Sequence, residues 1–232
     1  TIFCDVITPH GGQVALGSLV EAAGLVGISE QAIRSAVNRL VSEGWLVSEA
    51  HGRRSVFSFS EQGLLRSIVP LRRVYQCPNL TWTGQWNILI AKNWKLEHDA
   101  YVQAANDLQW AGYGRVCDNV FIRPQMAGDN MLCCAGSILE KEVVCFVGSE
   151  KQCVMNGTIE EVIGRAWDLS TVADRYAAFK ARYSPLLEEL LKSPSMRSAE
   201  AFALRLCMMH DLRRIRIMDP QLPSNLLPKG WK

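Results

Sequence analysis

The clearest pattern of hydrophobic and polar positions lies between residues 29 and 45. Apolar side chains recur there at helical spacing and predict one buried stripe, formed by Ile33, Ala36, Val37, Leu40 and Val41. Ser29 precedes this helix as an N-cap, and Gly44 ends it. At about 100° per residue, the opposite face carries small hydrogen-bonding side chains with an arginine on each shoulder. This polar face consists of Gln31, Arg34, Ser35, Asn38, Arg39 and Ser42.

The segments around this helix extend the pattern into a larger unit. Residues 16–25 predict a shorter helix, and a tight connection with Gly27 joins the two, as in a helix-turn-helix. Two strand-like runs follow at 45–49 and 55–59, around a tip at 51–54 that contains two arginines. Most polar helix faces are simply solvated, so the DNA-binding interpretation depends on the order of all these elements. Helix, turn, helix and basic hairpin predict a winged helix-turn-helix.

The polar face has the chemistry that a helix in a DNA major groove needs. Hydrogen-bonding groups at its centre can contact base edges, while cations on its shoulders hold phosphates. We predict base-edge contacts for Gln31, Ser35 and Asn38, and a base or phosphate contact for Arg34. Phosphate contacts are predicted mainly for Arg39, Arg53 and Arg54.

The middle of the chain changes to a mixture of strands and helices. Helices are predicted at 96–111 and 159–167. The order strand, helix, strand, strand and helix predicts an α+β domain, most simply a ferredoxin-like sheet. Its strands are predicted at 86–91, 120–124 and 143–147, with a weaker candidate at 133–139.

From residue 170 onward the pattern is helical. Ser170 is a candidate cap for a helix that we expect to be interrupted at Pro185, and residues 197–217 predict another helix. Residues 192–232 hold eight basic and three acidic side chains, which fits either a solvated helix face or a contact for an anionic ligand. We therefore predict three consecutive domains: a winged helix-turn-helix with its exit helix at 1–76, a ferredoxin-like domain at 80–168 and a helical domain at 169–232.

Composition narrows the possible functions. The 232 residues carry a formal net charge of only +2, and residues 1–80 contain seven basic and six acidic side chains. DNA binding would therefore depend on the placement of arginines, and a homodimer on a two-fold site is expected to supply enough phosphate contacts. No apolar run approaches the ~20 residues that a membrane-spanning helix needs, so no membrane partner is expected.

The cysteines and the first residues indicate the compartment. The eight cysteines include no C-x-x-C pair and no histidine at ligand spacing, so we predict reduced thiols in a cytoplasmic protein and no metal site. The first residues lack the basic start of a signal peptide. Because the chain begins without Met, we expect part of a first helix to precede Thr1. The four histidines do not cluster, so no catalytic residue and no cofactor is predicted.

Four unusual stretches span almost the whole chain. They are Phe-Cys-Asp at 3–5 with Pro-His-Gly-Gly at 9–12; 32–40 with Glu-Gly-Trp-Leu at 43–46; Gly-Arg-Arg-Ser at 52–55; and 210–214 with Asp-Pro-Gln-Leu-Pro at 219–223. With these stretches the chain resembles the PaaX family, the repressors of bacterial phenylacetic-acid degradation operons. The resemblance implies the same three-part fold and a dimeric, DNA-binding repressor. It also implies relief of repression by an aryl-coenzyme A thioester such as phenylacetyl-CoA.

An effector of this kind combines an apolar acyl group with a polyanionic nucleotide. Its pocket should therefore place aromatic side chains beside arginine or lysine, and the second half of the chain supplies both. The aromatic side chains there are more often part of a core than of a pocket. The candidate effector-binding residues are Trp110, Arg123, Arg213, Arg214 and Arg216.

Two other classes of function compete with this interpretation. A ferredoxin-like domain can be a metal-dependent nuclease, but this chemistry needs carboxylates at the end of the first strand, and residues 86–94 contain none. A module that binds only other proteins would leave Arg53 and Arg54 at the hairpin tip unexplained.

Overall fold

The computed structural model describes residues 1–52, 54–75, 81–91, 98–127, 143–149, 158–192 and 195–231. The chain forms two compact units. The first contains Thr1–Leu71 and Phe179–Arg214, and the second contains Arg72–Ala178 and Ile215–Lys232. These units do not follow the predicted boundaries, because segment 169–232, predicted as one helical domain, is divided between them. The class is a mixture of helices and two antiparallel sheets, as the α+β prediction requires.

The first unit begins with a short helical turn, Phe3–Ile7, followed by a 3-10 turn at Thr8–His10. Strand β1 (Gln13–Ala15) then leads into helices α1 (Leu16–Gly24) and α2 (Glu30–Ser42). A hairpin of β2 (Leu46–His51) and β3 (Arg54–Phe59) follows, and helix α3 (Glu61–Tyr75) leads onward. The three strands form an antiparallel sheet in the order β1-β3-β2. Strand β1 was not predicted, because three residues are too few to show a period of two.

One apolar cluster holds α1, α2 and the sheet of the first unit together. Ile33 and Val37 of the predicted stripe are buried in it. The connection between the two helices turns at Gly27, whose φ of 78° is the left-handed conformation that glycine adopts without strain. The cluster therefore fixes which face of α2 points outward. Its other buried members are Val14, Leu19, Ala23 and Phe57.

The start of α3 is packed directly against the beginning of the hairpin. A side chain at Gly63 would collide with the backbone carbonyl of Trp45, so only glycine allows this approach. The Ser60 hydroxyl donates to the carbonyl of Gly44 and accepts from the Gly63 amide at 2.8 Å. These contacts connect the end of α2, the hairpin and α3.

The second unit contains a four-stranded antiparallel sheet in the order β5-β6-β4-β7. Strands β4 (Trp82–Ala91) and β5 (Gly114–Cys117) are connected through helix α4 (His98–Trp110), and β6 (Val120–Met126) follows β5 directly. Strand β7 (Val143–Gly148) pairs with the other side of β4. The predicted strand at 133–139 falls in segment 128–142, outside the described residues, so the ferredoxin-like arrangement stays a prediction.

The remaining helices are α5 (Ile159–Ala166), α6 (Leu169–Lys192) and α7 (Ser198–Met218). The predicted break at Pro185 is wrong, because α6 continues through that residue. A proline costs a helix one backbone hydrogen bond, and the side chains just before it anchor this helix: Tyr183 and Arg182 donate to the Asp211 carboxylate of α7 at 2.8 and 2.9 Å. The backbone is therefore helical on both sides of Pro185.

The predicted cap of α6 is also wrong. Asp168, and not Ser170, closes the N-terminus: its carboxylate accepts from the Thr171 hydroxyl and amide at 2.6 and 3.0 Å, and from the Ser170 hydroxyl at 2.8 Å. These hydrogen bonds, led by that from the Thr171 hydroxyl, lower the pKa of Asp168 to about 2. A carboxylate satisfies several donors at a helix start, which one hydroxyl does not.

Candidate nucleic-acid interface

Helix α2 presents its predicted polar face to solvent. Its cap forms as expected, with the Ser29 hydroxyl accepting from the Ala32 amide at 3.3 Å. Gln31, Ser35 and Asn38 are exposed, and within the described residues their side chains have no hydrogen-bond partner. A contact of these side chains with a base edge would therefore break no hydrogen bond within this part of the protein.

The arginines on the shoulders of this face are paired with acidic neighbours one turn away. Arg34 donates to Glu30 at 2.6 Å, and Arg39 lies 3.8 Å from Glu43. All four side chains are more than half exposed, so each pair contributes little to stability. Phosphate can replace such a partner at little cost, and the pairs hold both arginines beside the polar face.

Ser42 differs from the other polar residues of the face. Its hydroxyl donates to the Arg39 carbonyl at 2.8 Å, near the end of α2. This hydrogen bond occupies the only donor that the side chain has. Ser42 is therefore exposed but less available to a ligand than Ser35.

The hairpin carries the second group of predicted contacts. His51 pairs with Arg54 where β2 and β3 meet the tip, and Gly52 has a φ of 62°, the left-handed conformation that tight hairpin turns require. Arg54 is exposed. Arg53 lies outside the described residues. Glu49 lies 3.6 Å from His51 and adds a negative charge close to the tip. Of the two arginines predicted to contact phosphates from the hairpin, Arg54 is the one that the structure describes.

The predicted effector-binding residues are divided between the two compact units. Arg213 and Arg214 belong to the first unit, whereas Trp110, Arg123 and Arg216 belong to the second. Arg213 is buried and donates to the Asp5 carboxylate, so its predicted role as a phosphate contact has no support in this geometry. Arg214, its neighbour in α7, is exposed.

The two arginines of the second unit bind backbone carbonyls. Arg123 donates to Ala111 at 3.1 Å and lies over the ring of Tyr113, and Arg216 donates to the Arg73 carbonyl at 3.1 Å. Both contacts stabilise the unit itself. Sequence reasoning missed Asn87, a fully buried residue of β4 whose backbone lies opposite that of Arg123 in β6, because it looked like one polar residue in an apolar strand.

The Asp-Pro-Gln-Leu-Pro stretch forms a polar network after α7. The Tyr176 hydroxyl donates to the Asp219 carboxylate at 2.8 Å, and Gln221 donates from its side chain to the Arg73 carbonyl at 2.7 Å. Burial, and then the nearby Asp219 charge, raises the pKa of Tyr176 well above its usual value, so this hydroxyl stays protonated and donates. The stretch therefore has a structural role in the second unit.

Within the described part of the chain, no three His, Cys, Asp or Glu side chains lie close enough together to hold a metal ion. None of the described helices combines the length and apolarity needed to cross a bilayer.

A family model described as PaaX-like protein matches residues 1–63, and one described as PaaX-like protein C-terminal domain matches residues 167–232. The transcriptional repressor PaaX of Escherichia coli is 27% identical over the whole chain, which spans 73% of that protein. The chain belongs to the PaaX family.

The fold of this PaaX-family protein is also found in a solved structure. An uncharacterised protein of Mycobacterium tuberculosis superimposes with a TM-score of 0.53 over 99% of this chain and 86% of its own, at 19% sequence identity. At this identity the likeness concerns the fold alone. The two family models match the ends of the PaaX-family chain, including α2 and the hairpin in one and α7 in the other.

Proposed function

We propose that this PaaX-family protein is a DNA-binding transcriptional repressor. The observation that carries the proposal is the exposed row of Gln31, Ser35 and Asn38 on a capped helix whose opposite face is buried. The order of α1, α2 and the β2–β3 hairpin supports a winged helix-turn-helix with α2 as its recognition helix. The name of the Escherichia coli relative, a transcriptional repressor, agrees with this function.

The finer part of the proposal concerns the signal. Repression of a phenylacetate-type catabolic operon, relieved by an aryl-CoA thioester, follows from the family resemblance. Of the candidate phosphate contacts, Arg214 is the exposed one, whereas Arg123, Arg213 and Arg216 are engaged within the protein. We therefore keep Arg214 as the proposed contact for the phosphates of the CoA nucleotide, and Trp110 as the proposed aromatic residue of the effector pocket. The effector can release DNA only by binding better to a conformation that does not fit the operator.

Selection of bound DNA from a random pool tests the DNA part, and repeating it with ligands tests the signal. We expect enrichment of a two-fold sequence, and loss of binding with phenylacetyl-CoA or benzoyl-CoA but not with free CoA or phenylacetate. No enriched sequence would contradict the repressor function. An enriched sequence that neither thioester releases would contradict the effector alone.

We further propose that the repressor acts as a homodimer through the end of α6. Leu187 and Leu191 lie one turn apart and are 58% and 76% exposed. Glu188 and Lys192, also exposed, have the same spacing beside them. A two-fold axis across this surface buries the leucines and lets Lys192 of each copy face Glu188 of the other, so the surface is complementary to itself. A second copy of this chain is therefore the partner that fits it.

Replacing Leu187 and Leu191 together with glutamate is expected to give a monomer. Four carboxylates would then replace the apolar contact of the two copies, and operator affinity should fall about a hundredfold because the half-sites are no longer bound together. Light scattering and operator titration measure both effects. Leu65→Glu is the control, since Leu65 is 62% exposed on α3. A variant that remains dimeric, or a wild-type protein that is monomeric at micromolar concentration, would contradict this interface.

A further inference from the structure

The second unit contains a cavity of about 340 Å³ beside the junction of α5 and α6. Its wall is mainly apolar and includes Ile163 of α5, Trp167 between the two helices, and Leu226 of the C-terminal segment. Ile163, Trp167 and Leu226 also belong to the buried cluster of this unit, so the wall is part of a packed core. A volume near the lower end of the range for ligand pockets suits a single small ring.

Two carboxylates give this cavity its charge. Glu160 and Asp168 both line it, and both side chains are exposed to solvent. The Asp168 carboxylate accepts hydrogen bonds from the start of α6, which keeps it ionised. The lining residues include no lysine or arginine. Arg175, whose charge also acts on Asp168, offsets part of this negative charge but does not line the cavity, so the lining favours a cation over a carboxylate or a phosphate.

Gly164 gives the cavity part of its space. It lies in the middle of α5 and lines the cavity, and a Cβ at this position would meet no other atom within 4 Å. A glycine within a helix lowers its stability relative to alanine. Packing does not explain this glycine, because a side chain would fit. Because Gly164 lines the cavity, a side chain longer than alanine at this position is expected to narrow it.

We propose that this cavity binds a small aromatic ring that carries a positively charged amino group. The ring packs against Ile163 and the indole of Trp167, and the amino group faces Glu160 and Asp168 at the rim. This ligand class goes beyond the proposed function, because the polyanionic nucleotide of a CoA thioester carries the opposite charge.

Three probes with the same ring and different charges test the proposal on the full chain. They are phenylethylamine, which is a cation, phenylacetamide, which is neutral, and phenylacetate, which is an anion. Titrations followed by calorimetry or ligand-observed NMR are expected to give the amine about tenfold higher affinity than phenylacetate, with the amide between them. Equal affinities would overturn the role of the carboxylates, and no binding of the amine would overturn the site.

Variants then locate the binding. Gly164→Leu should abolish binding of the amine and the amide, whereas Gly164→Ala should keep it and unfold at a higher temperature. Gly17→Leu, another helical glycine with open space around its Cβ, is the matched control and should bind like the wild type. Glu160→Gln should reduce the preference for the amine over phenylacetate several-fold. If Gly164→Leu binds the amine unchanged, the cavity is not the site; operator binding is independent of this result.

Discussion

Asp5→Ala is expected to lower the free energy of unfolding by about 3–5 kcal/mol, the range for removing one partner of a buried ion pair. The side chains of Asp5 and Arg213 are only 8% and 10% exposed, and the Arg213 guanidinium donates directly to the carboxylate. In the variant, the Arg213 guanidinium would remain buried but would have lost the carboxylate of Asp5. Because Asp5 lies in the first helical turn and Arg213 in α7, the loss should weaken the attachment of α7 within the first unit.

Denaturant titrations of a double-mutant cycle measure this effect. Arg213→Met alone should also be strongly destabilising, but the double variant Asp5→Ala with Arg213→Met should lose much less than the sum of the single losses. Arg214→Met is the control, because the neighbouring Arg214 is exposed and should change stability by no more than about 0.5 kcal/mol. Additive losses in the double variant would contradict an energetic coupling between Asp5 and Arg213.

The second large effect is expected in DNA recognition. Asn38→Ala should narrow the difference in binding free energy between operator and random DNA by roughly 1–3 kcal/mol if the amide makes two hydrogen bonds to a base. Arg54→Ala should weaken binding to both DNAs alike and reduce the salt slope by about one unit, because it removes a phosphate contact. Arg53→Ala is predicted to behave in the same way.

Titrations of operator and random DNA at several salt concentrations separate these two roles. Ser42→Ala is the matched control on the same face of α2, since its hydroxyl is bonded to the Arg39 carbonyl and should contribute little to the operator contact. If Asn38→Ala and Arg54→Ala both bind the operator like the wild type, α2 is not the recognition helix. If Asn38→Ala instead weakens binding to both DNAs equally, Asn38 contacts the backbone and not a base.

The local features of α2 could be derived from sequence because their causes are local. The spacing of Ile33 and Val37 determines which face is buried, and the Ser29 cap needs only the amide three residues later. Gly27 marked the turn for the same reason, since its backbone conformation is one that glycine adopts readily. The exposed positions of Gln31 and Asn38 then follow from the helical period.

Other features depended on groups that meet only in the folded chain. Arg213 looked like a phosphate contact because nothing nearby in sequence opposes its charge, yet its partner Asp5 is 208 positions away. Ser170 gave a clear capping signal, but Asp168 was closer to several donors at once. In both cases the folded chain offered a better polar contact than the neighbouring sequence suggested: Asp5 for Arg213, and the Asp168 carboxylate for the start of α6.

The division of the chain was also decided by tertiary contacts. Sequence periodicity places helices along the chain but does not say against which surface each one packs. Segment 179–214 therefore looked like part of a third domain, whereas it belongs to the same compact unit as α1 and α2. The sequence by itself determined the longer helices, the longer strands and the polar face of α2, because these depend on neighbours a few residues away, whereas the three-residue strand β1 forms only by pairing with β3. Only the tertiary structure decided which arginines stay exposed, because burial depends on residues far apart in the chain.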